Sequence, residues 1–258
     1  MPFLNDALQK GKETEWHATW IHPGFADRGG VHYFWFFREF DLSELPERAS
    51  IDITADLKYV LYLNDEFLGR GPLYGTPDYY SFDSYDLSGG LKIGKNTVWV
   101  LVMQDCPGDY FQKERPLAML AQLKFAAKDG TVSYIGTDTS WKCFKDNGWN
   151  PTAPRTFYDI DIMEIVEVYD ARKSVNKNNF LETGAEASRV GTYSHVRGIR
   201  ELFEESTITH LGMMWRYLQP RDIPYMNETN VDGKVVSYGE VEPGNVCLLY
   251  TSDAADDL

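Results

Sequence analysis

The stretch Ala55 to Pro72, ADLKYVLYLNDEFLGRGP, leaves its part of the chain few options. Tyr59, Leu61 and Leu63 alternate with Val60 and Tyr62, which is the two-residue period of a strand, in a β-branched and aromatic composition. Asn64-Asp65 follows, two residues that tolerate the positive φ a tight hairpin turn requires. Glu66-Phe67-Leu68 begins a return strand. Gly69-Arg70-Gly71-Pro72 is expected to end it, because two glycines and a proline are poor members of a ladder.

The same grammar recurs along the chain. Trp16 to Ile21, Val31 to Phe40, Ser50 to Ala55, Asn96 to Met103 and Ile162 to Tyr169 read as strands. Leu117 to Phe125 and Thr131 to Ile135 flank Lys128-Asp129-Gly130, a strong hairpin turn. Ser50 to Ala55 alternates with Ile51, Ile53 and Ala55 inward and Asp52 and Thr54 outward. Leu73 to Ser84, rich in Tyr, Pro and Gly, reads as a long loop. Many short strands with turn signals between them predict an all-β fold, an antiparallel jelly-roll β-sandwich, ahead of a closed barrel. Several strands have no polar face: Val98, Val100 and Val102 fill one side of theirs, and Trp99, Leu101 and Met103 the other. Either a second domain covers the outer face, which is the favoured reading, or that face binds something.

Residues 1–172 are assigned to the sandwich. Alternation disappears over 173–210, read as an irregular connector with a short helix at Ile199 to Glu205, and 211–246 reads as the start of a further β unit. The last twelve residues, Cys247 to Leu258, read CLLYTSDAADDL, and the first eleven of them match the translation of a common sequencing-library adapter. The native sequence is therefore expected to stop near Val246, inside a longer protein. That leaves Cys106 and Cys143, with no metal-ligand spacing, as free thiols.

A net charge of −14 argues against nucleic acid and against anionic membrane surfaces as partners. No apolar run approaches the ~20 residues of a membrane helix. The first residues, MPFLNDALQKGKETEW, carry no apolar core of a secretory signal, so cytoplasmic residence is the expectation.

The five histidines are scattered without metal-motif spacing, and no G-x-S-x-G elbow or Gly-rich phosphate loop is present. Carboxylates are abundant, but spacing alone identifies no acid–base pair. Around the hairpin, Asp56, Asp83 and Asp86 read first as turn caps or salt links. A sugar hydroxyl or a structural Ca²⁺ is the alternative, and no other cofactor is expected. Arg70 divides the same way, between tying loops together and contacting a ligand or a neighbouring domain. Tyr74, Tyr79, Tyr80, Phe82 and Tyr85 cluster in sequence; edge-of-core packing or a domain interface is favoured over stacking on a sugar ring. The candidates for contact with carbohydrate or with another domain are thus Asp56, Tyr59, Asn64, Arg70, Tyr80, Asp83, Tyr85 and Asp86; no catalytic or metal-binding residue is assigned.

A set of short pieces carries a family resemblance. Ala55-Asp56, Tyr59, Leu61-Tyr62 and Asn64 come first, then Gly69 to Pro72. Asp83, Tyr85-Asp86-Leu87, Leu91, Gly94 and Asn96 follow, with Thr137-Asp138, Ser140-Trp141, Tyr169-Asp170-Ala171-Arg172 and Pro220-Arg221-Asp222-Ile223-Pro224 after them. In this order they resemble the N-terminal β-sandwich region of bacterial α-L-rhamnosidases and related multidomain glycoside hydrolases. Asp65 departs from the pattern, which has Gly there. The resemblance implies a galactose-binding-like jelly roll preceding further β domains and an (α/α)₆ barrel that holds the acid and base carboxylates of an inverting mechanism. No part of that barrel is in this chain, so the chain itself is expected to be inactive. Its expected partners are its own downstream catalytic domain and rhamnose-containing glycans.

Overall fold

The computed structural model describes residues 15–24, 30–73, 79–106, 117–152, 155–158, 161–165, 168–180, 182–193 and 217–229. Among these there is no helix. The strands are β1 (Trp20–His22), β2 (Gly30–Leu42), β3 (Arg48–Asp56), β4 (Lys58–Leu63), β5 (Glu66–Gly71), β6 (Tyr79–Asp86), β7 (Gly94–Cys106) and β8 (Ala118–Ala126). They continue with β9 (Val132–Gly136), β10 (Lys142–Lys145), β11 (Arg155–Tyr158), β12 (Asp161–Ile165), β13 (Ser188–Arg189), β14 (Gly191–Tyr193) and β15 (Tyr217–Pro220).

Two sheets form a sandwich of the jelly-roll kind. One has the order β14-β1-β8-β3-β6-β15, with β9 also paired to β8; the other runs β13-β10-β2-β7-β4-β5. Ile51, Ile53, Met119, Ala121 and Leu123 from the first sheet meet Phe34, Phe36, Leu61, Leu63, Val98, Val100 and Val102 from the second in one buried core. β11 and β12 form a separate two-stranded ladder. Among the described residues the ladders are antiparallel except one: β15 runs parallel to β6, pairing Tyr217 with Tyr79 through Pro220 with Phe82. The consecutive short strands β13 and β14 pair with β10 of one sheet and β1 of the other. This segment therefore passes from one layer to the other, with Val190 between the two strands buried in the core.

The turns form where the sequence places them. Leu63 pairs with Glu66 across Asn64-Asp65, and Asn64 has φ 54°, the one positive value at a non-glycine among the described residues. Asp65 is not asked to adopt a left-handed conformation, so the Asp in place of Gly is tolerated. Gly130 takes φ +85° in the β8–β9 turn and its N–H donates to Ala127 O at 3.0 Å.

Four expectations need correction. Gly69 does not end the return strand; it lies within β5, paired with Leu61, and the strand runs on to Gly71, paired with Tyr59, where it ends before Pro72. Residues 79–84 are not loop but part of β6, which pairs with β3. The strand pattern was obscured because its core-side positions carry polar Ser81 and Asp83, both buried. Thr54 does not face solvent; it is buried, and its hydroxyl donates to Ser81 O at 2.8 Å. The outer face of β2 and β7 is covered by this chain itself: Val175, Phe180 and Ala187 pack on Trp35, Phe37, Tyr62, Trp99 and Phe144. Phe180 stacks on Phe144 with ring centroids 4.4 Å apart. The described part of the segment read as a connector thus lies as a lid on the second sheet, with turns at residues 171–173, 177–180 and 182–184. The helix expected at Ile199 to Glu205, and everything from residue 230 on, lie outside the described residues.

Contacts divide the chain into two units, Met1–Asp222 and Ile223–Leu258. All strands among the described residues belong to the first. In the second, residues 223–229 have no regular secondary structure.

Candidate functional site

The sequence pieces that stand furthest apart meet at one buried polar cluster. Asp83 sits on the core-facing side of β6 opposite Ile53, and its residue is fully buried. Arg221, 138 residues later, donates from Nε to Asp83 Oδ1 at 2.5 Å. The Tyr59 hydroxyl, from β4, donates to the other carboxylate oxygen. Tyr59 and Tyr85 hydroxyls lie 3.1 Å apart, and the Tyr85 hydroxyl donates to Arg70 O at 3.2 Å. Burial pushes the Tyr59 phenol well above its ordinary value, and the neighbouring Tyr85 and Asp83 push the same way.

The glycines of Gly69-Arg70-Gly71 make this cluster possible. A Cβ on Gly71 would lie 1.9 Å from Asp83 Oδ2 and 2.8 Å from the Tyr59 hydroxyl. One on Gly69 would lie 2.4 Å from the Tyr85 ring. The close approach of β5 to the polar side chains requires residues without side chains there, while Arg70 between them turns outward and is exposed. The cluster is closed: both carboxylate oxygens are engaged, and Asp83 has no surface from which to reach a sugar or a solvent-borne cation. It is chemistry used to hold strands together.

A second cluster ties two loops. Asn64 Nδ2 donates to Gly90 O at 2.9 Å, and its Oδ1 accepts from the Thr97 N–H at 3.0 Å. Fully buried Asn96 accepts from the Lys92 N–H at 3.0 Å and donates to Lys92 O and Gly94 O at 2.7 and 2.9 Å. The two asparagines touch each other at 3.3 Å. Asp86 caps a turn by accepting from the Ser88 N–H at 2.8 Å.

Of the eight sequence candidates, Tyr59, Asp83 and Tyr85 come together, with the backbone of Arg70 beside them. Asn64 and Asp86 serve turns. Asp56 and Tyr80 are buried on the opposite sides of their strands from Ile53 and Asp83. Tyr74 lies outside the described residues. Sequence reasoning did not select Arg221 as a site residue; its signal was membership of the Pro220-Arg221-Asp222 piece, whose partner is too distant in sequence to guess. The Arg70 side chain lies on the surface, its guanidinium carbon 5.4 Å from the centre of the Phe67 ring, and Phe67 is 41% exposed. Tyr62 stands next to it, ring centroids 5.9 Å apart. Among the described residues no group of three or more His, Cys, Asp or Glu side chains is placed to hold a metal ion.

No protein-family model matches the chain. No curated protein matches it either. Solved structures do. The GH78-family rhamnosidase of Bacillus sp. GL1 is similar over 83% of this chain, with 28% identity and a TM-score of 0.62. The α-L-rhamnosidase of Aspergillus terreus matches over 69% of this chain, with 23% identity and a TM-score of 0.53. That of Dictyoglumus thermophilum matches over 63%, with 22% identity and a TM-score of 0.52. This chain spans only about a fifth of the length of these proteins, 20%, 21% and 19% respectively.

Proposed function

We propose that this chain is the non-catalytic N-terminal accessory sandwich of an α-L-rhamnosidase-like glycoside hydrolase. The observation that carries this reading is the match to the Bacillus rhamnosidase, which takes in 83% of this chain but 20% of that one. The sequence pieces shared with the family support it from inside. Tyr59, Gly69, Gly71, Asp83, Tyr85 and Arg221 form a closed structural cluster, and Asn64, Gly94 and Asn96 hold loops. Neither group has the open pair of carboxylates flanking a bound sugar that glycoside hydrolysis needs. In the larger enzyme the acid and base would come from a downstream catalytic domain, to which this sandwich is joined as a cytoplasmic partner. The test is to recover the downstream coding sequence and assay both products on an aryl α-L-rhamnoside. The longer chain should hydrolyse it and the present chain should not. Hydrolysis by the present chain, or a downstream sequence with no hydrolase domain, would overturn the reading.

A second reading, that the sandwich itself contacts carbohydrate, is favoured by the surface group Tyr62, Phe67 and Arg70, an exposed ring beside a cation and a second ring. Titration calorimetry with rhamnose oligosaccharides decides it. Heat lost on Phe67→Ala would support it, and no heat at millimolar ligand would remove it.

A further inference from the structure

The β6–β15 ladder differs from every other ladder described. It is parallel, and it joins segments far apart in sequence. Parallel neighbours have no hairpin to hold them in register. What fixes β15 is at its end: the Arg221 N–H donates to Phe82 O at 2.9 Å, and the Arg221 side chain passes inward to Asp83. The arginine side chain is 11% exposed and the aspartate side chain 0%. An extended segment laid on a sheet edge, with one charged side chain in a complementary buried site, has the form of peptide recognition by strand addition.

We propose that the edge of β6, with Asp83 just beyond the paired residues, is a docking site for an extended segment carrying an arginine, occupied here by the chain's own Tyr217–Arg221. The ladder supplies main-chain pairing that almost any sequence could make. Selectivity comes from Asp83, whose buried charge is matched by a guanidinium and left uncompensated by a neutral side chain. Gly69 and Gly71, by keeping β5 bare beside the cluster, leave the volume this arrangement occupies. A segment held in this way can leave and be replaced by a copy of itself without the sandwich unfolding.

The experiment is hydrogen exchange on the full chain and on Arg221→Gln. In the variant, the amide of residue 221 should lose protection by on the order of 100-fold, as follows from stripping one partner from a buried ion pair, while the β2–β7 amides keep theirs. A synthetic peptide of the native residues Tyr217 to Pro224, added to the variant, should restore protection along β6. The same peptide with Gln in place of Arg should not. Arg221→Lys, which keeps the charge but not the fork, should fall between. Unchanged protection at residue 221, loss of protection throughout the sandwich, or equal action of the two peptides would each overturn the proposal.

Discussion

A methyl group on Gly71 would lie 1.9 Å from an oxygen of Asp83, far inside van der Waals contact, so Gly71→Ala should be among the more damaging single substitutions in the protein. Overpacking of this kind costs ~1–3 kcal/mol, and the pairing of Gly71 with Tyr59 of β4 holds the backbone against relief. A urea denaturation midpoint well below that of the parent is the expected outcome; an unchanged midpoint would mean that β5 can draw back. Tyr59 makes a prediction in pH. Its folded-state pKa is raised, so the stability it contributes is fully present below the ordinary tyrosine value of about 10 and is lost as pH rises through the folded value. Stability should therefore fall as pH rises above about 10, and Tyr59→Phe should flatten that fall. Cys143 is buried, and burial pushes its thiol up to about 12. It should stay silent to thiol reagents at neutral pH in the folded protein and react at once in denaturant. These roles were only half legible in the sequence. The glycines were visible, but their natural reading is strand termination; that they are cut-outs for Tyr85 and Asp83 depends on a contact between strands that only the fold creates.

The hairpin of β4 and β5 is where local sequence spoke most plainly. The alternation from Tyr59 to Leu63, the turn at Asn64 and the return strand all stand as the residues imply. Asn64→Ala should cost about 1–2 kcal/mol, because alanine resists positive φ and cannot bridge Gly90, Asn96 and Thr97. Asp65→Gly should change stability by less than ~0.5 kcal/mol, since its φ is ordinary and its ion pair with Lys177 involves a 95% exposed carboxylate. Thermal melts of the two variants side by side check both. β6 was harder. Its inward positions hold Asp83 and Tyr85, and a binary reading of apolar against polar takes a buried carboxylate for a loop. Strand propensity was present in Tyr79, Tyr80 and Phe82, and was outweighed by the neighbouring proline and glycine.

At the scale of the molecule, the strands with two apolar faces posed the largest question. The expected cover was another domain; the observed cover is Val175, Phe180 and Ala187. Nothing in the alternation could have shown this, because a segment packed as a lid needs only a few apolar contacts and carries no period. Phe180→Ala should uncover Trp99, Phe37 and Phe144, with a loss of ~2 kcal/mol for a half-buried ring and a gain in binding of a hydrophobic dye. Dye binding equal to that of the parent would show that the lid does not depend on this ring. The passage of residues 188 to 193 from one sheet to the other has a consequence in time. β1, among the first strands to leave the ribosome, has as one neighbour β14, almost the whole length of the unit behind it, and Asp83 has its partner Arg221 138 residues further on. During synthesis the early strands must therefore persist with an open edge and an unanswered buried carboxylate. A nascent chain halted before residue 193 should be a ready substrate for chaperones, and one halted beyond residue 222 should not.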